Sequence, residues 1–140
     1  MEEGTTASTA AMIHARQFLF NSKNASLFPN VRAHLAAISA ELALRAVYYK
    51  HHPEREIKKH ISKSLVGEVC YQCGLESDVG VVEAADRLEP HYTASRYPEE
   101  TTREFDCVAM QVGCWHYPYV IEDIVADAEK IVDWASSQSS

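Results

Sequence analysis

Arg55 and His60 lie in the run Pro53-Glu54-Arg55-Glu56-Ile57-Lys58-Lys59-His60, an Arg-x4-His spacing inside the one basic stretch of an acidic chain. A guanidinium grips a phosphate through a two-pronged hydrogen bond, and an imidazole moves protons near neutral pH. Together they have the chemistry to hold an RNA phosphate, or to cleave its ester without a metal. In a cleavage reaction His60 is the general base on the ribose 2′-hydroxyl or the general acid on the leaving oxygen. Arg55 then stabilises the charged phosphorane. Three readings are open from the residues alone: catalysis, phosphate or nucleotide binding without cleavage, and a solvated helix start with no ligand.

Arg45 and Lys59 extend the basic stretch and are candidate ligand-binding residues. From Arg45 to Lys63 the chain carries Arg45, Lys50, Arg55, Lys58, Lys59 and Lys63 against Glu54 and Glu56, whereas the whole protein has a net charge of −7. A protein that coats nucleic acid without sequence preference is usually basic, so any phosphate site here is local. Arg96-Tyr97-Pro98 is a second candidate. Arg96 reaches a phosphate there and Tyr92 or Tyr97 stacks a base, or else Tyr97 packs over the end of the fold and Pro98 fixes a turn. Glu41 and Arg45 stand four apart, the spacing of an ion pair on one helix face, and His34 shares that face.

The four cysteines fall as Cys70-x2-Cys73 and Cys107-x6-Cys114. The first pair lies on a helix end, and the second spacing is too wide for a zinc knuckle. Free buried thiols are the expectation, with a disulfide between the pairs as the alternative. No metal and no cofactor is expected, and no Gly-rich phosphate loop or base-reading pattern names a ligand. Trp115-His116-Tyr117-Pro118-Tyr119 is an aromatic cluster that either closes the core or meets a partner.

The elements that position these residues read as helices throughout. A chain of 140 residues with 46% hydrophobic content is long enough to bury a core as one domain. Residues 1–8 and 137–140 are expected to be tails around a bundle over 9–136. The first helix is expected from Ser8 or Thr9, as caps, to Asn21 or Lys23. Pro29 opens a second helix to Lys50, with Leu35, Ile38, Leu42, Ala46 and Tyr49 as its apolar line and many alanines that admit close neighbours. A third helix is expected from Pro53 to Cys73-Gly74, with Ile57, Ile61 and Leu65 buried. A fourth follows the capping pair Ser77-Asp78 and ends at Pro90. Phe105 to Cys114 reads as helical, and a last helix runs from Pro118 to Ser136. No segment reads as a strand. The fold class is therefore all-α, an up-and-down bundle of four to five helices. No apolar run approaches the ~20 residues that span a bilayer, and no signal peptide is visible, so the expected location is cytoplasmic.

The order of the pieces resembles the HEPN domain family. The likeness is carried by Ala15-Arg16-Gln17-Phe18-Leu19, by Ala33 to Ala46 with its glutamate and downstream arginine, and by Ser95-Arg96-Tyr97-Pro98 followed by Asp127 to Ala135. His60-Ile61-Ser62 sits where many members have a His-led third helix. The resemblance implies a helical bundle, often a homodimer. It also implies one of three roles: nucleotide binding beside a minimal nucleotidyltransferase, metal-independent RNA cleavage of the toxin type through an Arg-x4–6-His motif, or a recognition or dimerisation module without that motif. Glu56 departs from the nuclease pattern, which prefers Asn, Asp or His after the arginine. On a regular helix Arg55 and His60 point about 140° apart, so they meet across a two-fold axis or if the helix starts later than Pro53, while Glu56 and His60 are salt-bridge neighbours.

Overall fold

The computed structural model describes residues 3–94, 117 and 119–139. Among them are five helices and no strand: α1 (Glu3–Ser22), α2 (Pro29–His51), α3 (Lys63–Cys73), α4 (Val79–Ala94) and α5 (Ile121–Ser139). The protein is an all-α bundle, as its periodicity predicts. The expected helix over Phe105–Cys114 and the Arg96-Tyr97-Pro98 turn lie outside the described residues.

Helix α2 is the axis of the bundle and touches the other four helices. Its deepest residues are Ala33, Ala36, Ala37, Ala40, Ala43 and Ala46, all fully buried, with Leu44 and Val47. The larger side chains Leu35, Ile38, Leu42 and Tyr49 are only half-buried. The expected apolar line is thus not the innermost one. Alanine offers no bulk, so α1 and α5 approach α2 along the alanine face, and the bigger residues are left at its flanks.

Helix α1 begins at Glu3, ahead of the expected caps Ser8 and Thr9. Ser8 is buried within it and donates to the Ala46 carbonyl at 2.7 Å. Ala11, Met12, Ala15 and Leu19 follow on the same face. The chain turns at Asn24, whose Oδ1 accepts from the Ser26 amide at 3.0 Å, and Pro29 opens α2 as expected. Arg32 Nε ties the turn back by donating to the Ser22 carbonyl at 2.8 Å.

The third helix is the main departure. It begins at Lys63, ten residues after Pro53, and the segment 53–62 is an irregular strap. A helix through this strap would need the Ile61 amide to donate to Ile57. That amide instead donates to Glu41 Oε1 on α2 at 2.9 Å. Ile57 and Ile61 are buried and pin the strap to the core. Ser62 is extended and caps α3 by accepting from the Leu65 amide at 3.1 Å. At the far end Gly74 adopts φ 65°, the left-handed conformation that closes a helix.

Asp78 caps α4 through Oδ1, which accepts from the Val81 amide at 3.1 Å. The helix does not stop at Pro90 but continues to Ala94. Proline in a helix interior costs about 3 kcal/mol. Here the next turn carries two anchored rings, His91 and Tyr92, whose packing holds the helix through the proline. Helix α5 starts three residues beyond Pro118. Its expected face of Ile121, Ile124, Val125, Ala128, Ile131, Val132 and Ala135 is entirely buried. On its acidic side Asp127 takes a two-pronged bond from Arg87 at 2.9 and 2.8 Å, and Glu129 pairs with Lys23 at 2.6 Å. Tyr117 is buried and shares a hydrogen bond with His91, so this part of the aromatic cluster closes the core. Among the described residues no helix is long and apolar enough to cross a membrane.

Candidate functional site

Glu41 is the centre of the candidate site. It is an acid among alanines on the central helix and is only 6% exposed. Such a carboxylate needs hydrogen-bond partners, and it has three. Oε1 accepts from the Ile61 amide at 2.9 Å and faces His60 Nδ1 at 3.3 Å. Oε2 pairs with Arg45 Nη2 at 3.1 Å. Glu41 therefore ties the strap to α2 and holds the imidazole of His60 by one nitrogen. His60 is not paired with Glu56, the partner expected for a helical strap.

His60 keeps a side chain 56% exposed at the edge of a groove. Its ring stacks on Tyr92 of α4, with centroids 4.3 Å apart and planes 22° apart. His34 of α2 lies against the same tyrosine at 6.1 Å. The groove has a volume of about 420 Å³ and is lined by Lys58, Lys59, His60, Ser64, Glu89 and Tyr92, among others. Lys59 Nζ donates to Ser64 Oγ at 2.8 Å, so it is held over the first turn of α3. Lys58 has neither an ion pair nor a hydrogen bond among the described residues. Arg45 lies behind this wall. Its Nη2 is 3.5 Å from the Lys59 carbonyl, and its buried Nε has no hydrogen-bond partner among the described residues.

Arg55 belongs to another place. Its Nη1 is 3.4 Å from Gln72 Oε1, near the carboxyl end of α3, and its amide donates to the His52 carbonyl. His60 sits just before the amino end of the same helix. The nine-residue rise from Lys63 to Gln72 is about 14 Å, so the two anchors stand apart by roughly that length. The structure brings Arg45, Lys59 and His60 together and separates Arg55 from them within one chain. Arg96 and Tyr97 lie outside the described residues. Glu89 and Ser64 were not singled out by sequence, because neither belongs to a motif. Tyr92 and Glu41 were visible there only as a stacking candidate and as half of a helical pair.

His91, Cys70 and Cys73 do not line the groove. Burial pushes the His91 imidazole down to about 4, against a smaller opposing pull from Asp127. Burial pushes the Cys70 thiol up, and pushes Cys73 to about 11 with Cys70 nearby adding to it. Both are free. Their expected counterparts Cys107 and Cys114 lie outside the described residues. No group of three or more His, Cys, Asp or Glu with metal-holding geometry occurs among the described residues.

The arrangement is thus a cationic groove on a helical bundle, with a carboxylate-held histidine at its edge. Neither a curated protein nor a solved structure matches the chain significantly. The family model of the HEPN domain matches residues 11–138, from within α1 to the last turn of α5. That span contains the whole site and nearly all of the bundle, and the chain belongs to the HEPN domain family.

Proposed function

We propose that this chain is a HEPN module that binds the phosphate of a nucleotide or of RNA in the groove between the strap and α4. The observation that carries the reading is the convergence of Lys58, Lys59, His60 and Ser64 on one groove at the start of α3, with Tyr92 as an aromatic wall. Two ammonium groups, a hydroxyl and an imidazole are what a phosphate takes, and the amino end of α3 adds a favourable dipole. Arg45 supports this wall from behind. Arg96 and Tyr97 belong to the proposed ligand set from the sequence alone. In keeping with the family, the module works as a homodimer beside a minimal nucleotidyltransferase. Phe20 and Phe28, exposed at the α1–α2 end, offer an apolar face for such contacts.

Thermal melting of the full chain with ATP, GTP and a short RNA tests the binding reading. A rise in Tm with at least one ligand, lost in the Lys58→Ala, Lys59→Ala double variant, is expected. No shift at millimolar ligand would overturn it. Light scattering reads the dimer directly as twice the mass of one chain.

A second reading, metal-independent ribonuclease, is favoured by the Glu41–His60 contact. A carboxylate on Nδ1 leaves Nε2 as the nitrogen that exchanges a proton with substrate. Arg55 then has to come from a second copy across a two-fold axis. RNA incubated with the protein in chelator is expected to be cleaved on this reading, with His60→Ala and Arg55→Ala each inactive. Mixing the two variants would restore part of the activity. Intact RNA with the wild-type chain rejects it.

A further inference from the structure

Glu89 is out of place in the groove if phosphate is all the groove holds. It lines the same space as Lys58 and Lys59, yet forms no ion pair among the described residues. A carboxylate that served only to neutralise the lysines would sit on one of them. It stands instead on α4 one turn before Tyr92, on the same helix face. The groove therefore has a cationic side on the strap, the Ser64 hydroxyl on α3, an aromatic wall of His60 and Tyr92, and, among its described lining residues, one carboxylate on α4.

We propose that Glu89 is a specificity-determining residue that selects guanine, so that the ligand is a guanosine monophosphate unit, free or within single-stranded RNA. The proposal rests on the nucleotide-binding reading. An ionised carboxylate only accepts hydrogen bonds. Guanine presents two adjacent donors, N1–H and the N2 amino group, which match the two carboxylate oxygens. Adenine and cytosine place a ring acceptor beside their amino group, and uracil has the single N3–H between two carbonyls. Stacking on the outer face of His60, whose other face lies on Tyr92, is tolerant of base identity, since every base has a π face. The carboxylate is thus the groove's discriminating group. A volume of about 420 Å³ falls within the range of small-ligand sites, ~300–1,000 Å³.

The test is a titration of the full chain with GMP, IMP, AMP and UMP by calorimetry, in wild type and Glu89→Gln. Wild type is expected to bind GMP roughly tenfold more tightly than AMP or UMP, with IMP, which lacks the N2 amino group, in between. Glu89→Gln is expected to lower GMP affinity and leave AMP affinity within about twofold, which closes the gap. Equal affinities for the four nucleotides, or a guanine preference that survives in Glu89→Gln, overturn the proposal and leave the nucleotide reading standing. If none of the four binds, titration with the oligoribonucleotides AAGAA and AAAAA decides. Preference for AAGAA that Glu89→Gln removes assigns the site to RNA. No preference overturns the proposal, and no binding to any probe overturns the nucleotide reading with it.

Discussion

At the residue scale, Glu41 carries the candidate site and part of the fold. Removing its carboxylate leaves the Ile61 amide without its acceptor and Arg45 Nη2 with only the Lys59 carbonyl at 3.5 Å. Glu41→Ala is expected to cost about 2–3 kcal/mol in chemical denaturation, and to free His60 at the same time. Glu41→Gln keeps the volume and one acceptor and is expected to cost less. His91 contributes a pH dependence. Its folded pKa is depressed to about 4 by burial, so the folded state binds fewer protons than the unfolded chain, whose histidine titrates near 6.5. Its contribution to stability is present above pH ~6.5 and is lost as pH falls toward 4, by an amount on the order of 3 kcal/mol. Urea midpoints measured between pH 7 and pH 4 are expected to fall, and to fall less in His91→Phe. Of these residues the sequence displayed His60, Arg45 and Lys59 plainly, since a basic run is visible letter by letter. It could not show that His60 rests on Glu41, because the two are 19 positions apart.

At the element scale, the strap over 53–62 decides the geometry of the site. Ser62 is its boundary with α3, and Ser62→Ala is expected to cost about 1 kcal/mol through the lost cap, with Ser62→Thr close to neutral. Helix α4 is the second lever. Its continuation through Pro90 places Tyr92 against His60. Pro90→Ala is expected to raise thermal stability by up to about 3 kcal/mol while leaving the His60–Tyr92 stack in place. Both helix ends were written locally: Asp78 caps α4 and Gly74 closes α3, as their types predict. The strap was not, because Pro53 followed by Ile57 and Ile61 at helical spacing also describes a helix. What breaks that helix is a hydrogen bond to a residue on another element, and spacing within the segment carries no trace of it.

At the scale of the whole molecule, the alanine face of α2 sets how closely the bundle is drawn together. Ala40 is fully buried, and Ala40→Leu is expected to destabilise by at least 1–3 kcal/mol, read as a lower Tm with unchanged helix content at low temperature. The same close approach puts α2, the strap and α4 within reach of one another, so that Glu41, His60 and Tyr92 meet. The helical class, the central alanine-rich helix, the buried face of α5 and the family likeness were determined by the sequence itself, because each is a local periodicity or an ordered set of short motifs. The pairing of His60 with Glu41, the stack on Tyr92, the place of Glu89 in the groove and the separation of Arg55 from His60 were decided only by tertiary structure. The Arg-x4-His spacing is one number along the chain. Its meaning depends on whether the intervening residues coil or extend, and a buried carboxylate on another helix settles that.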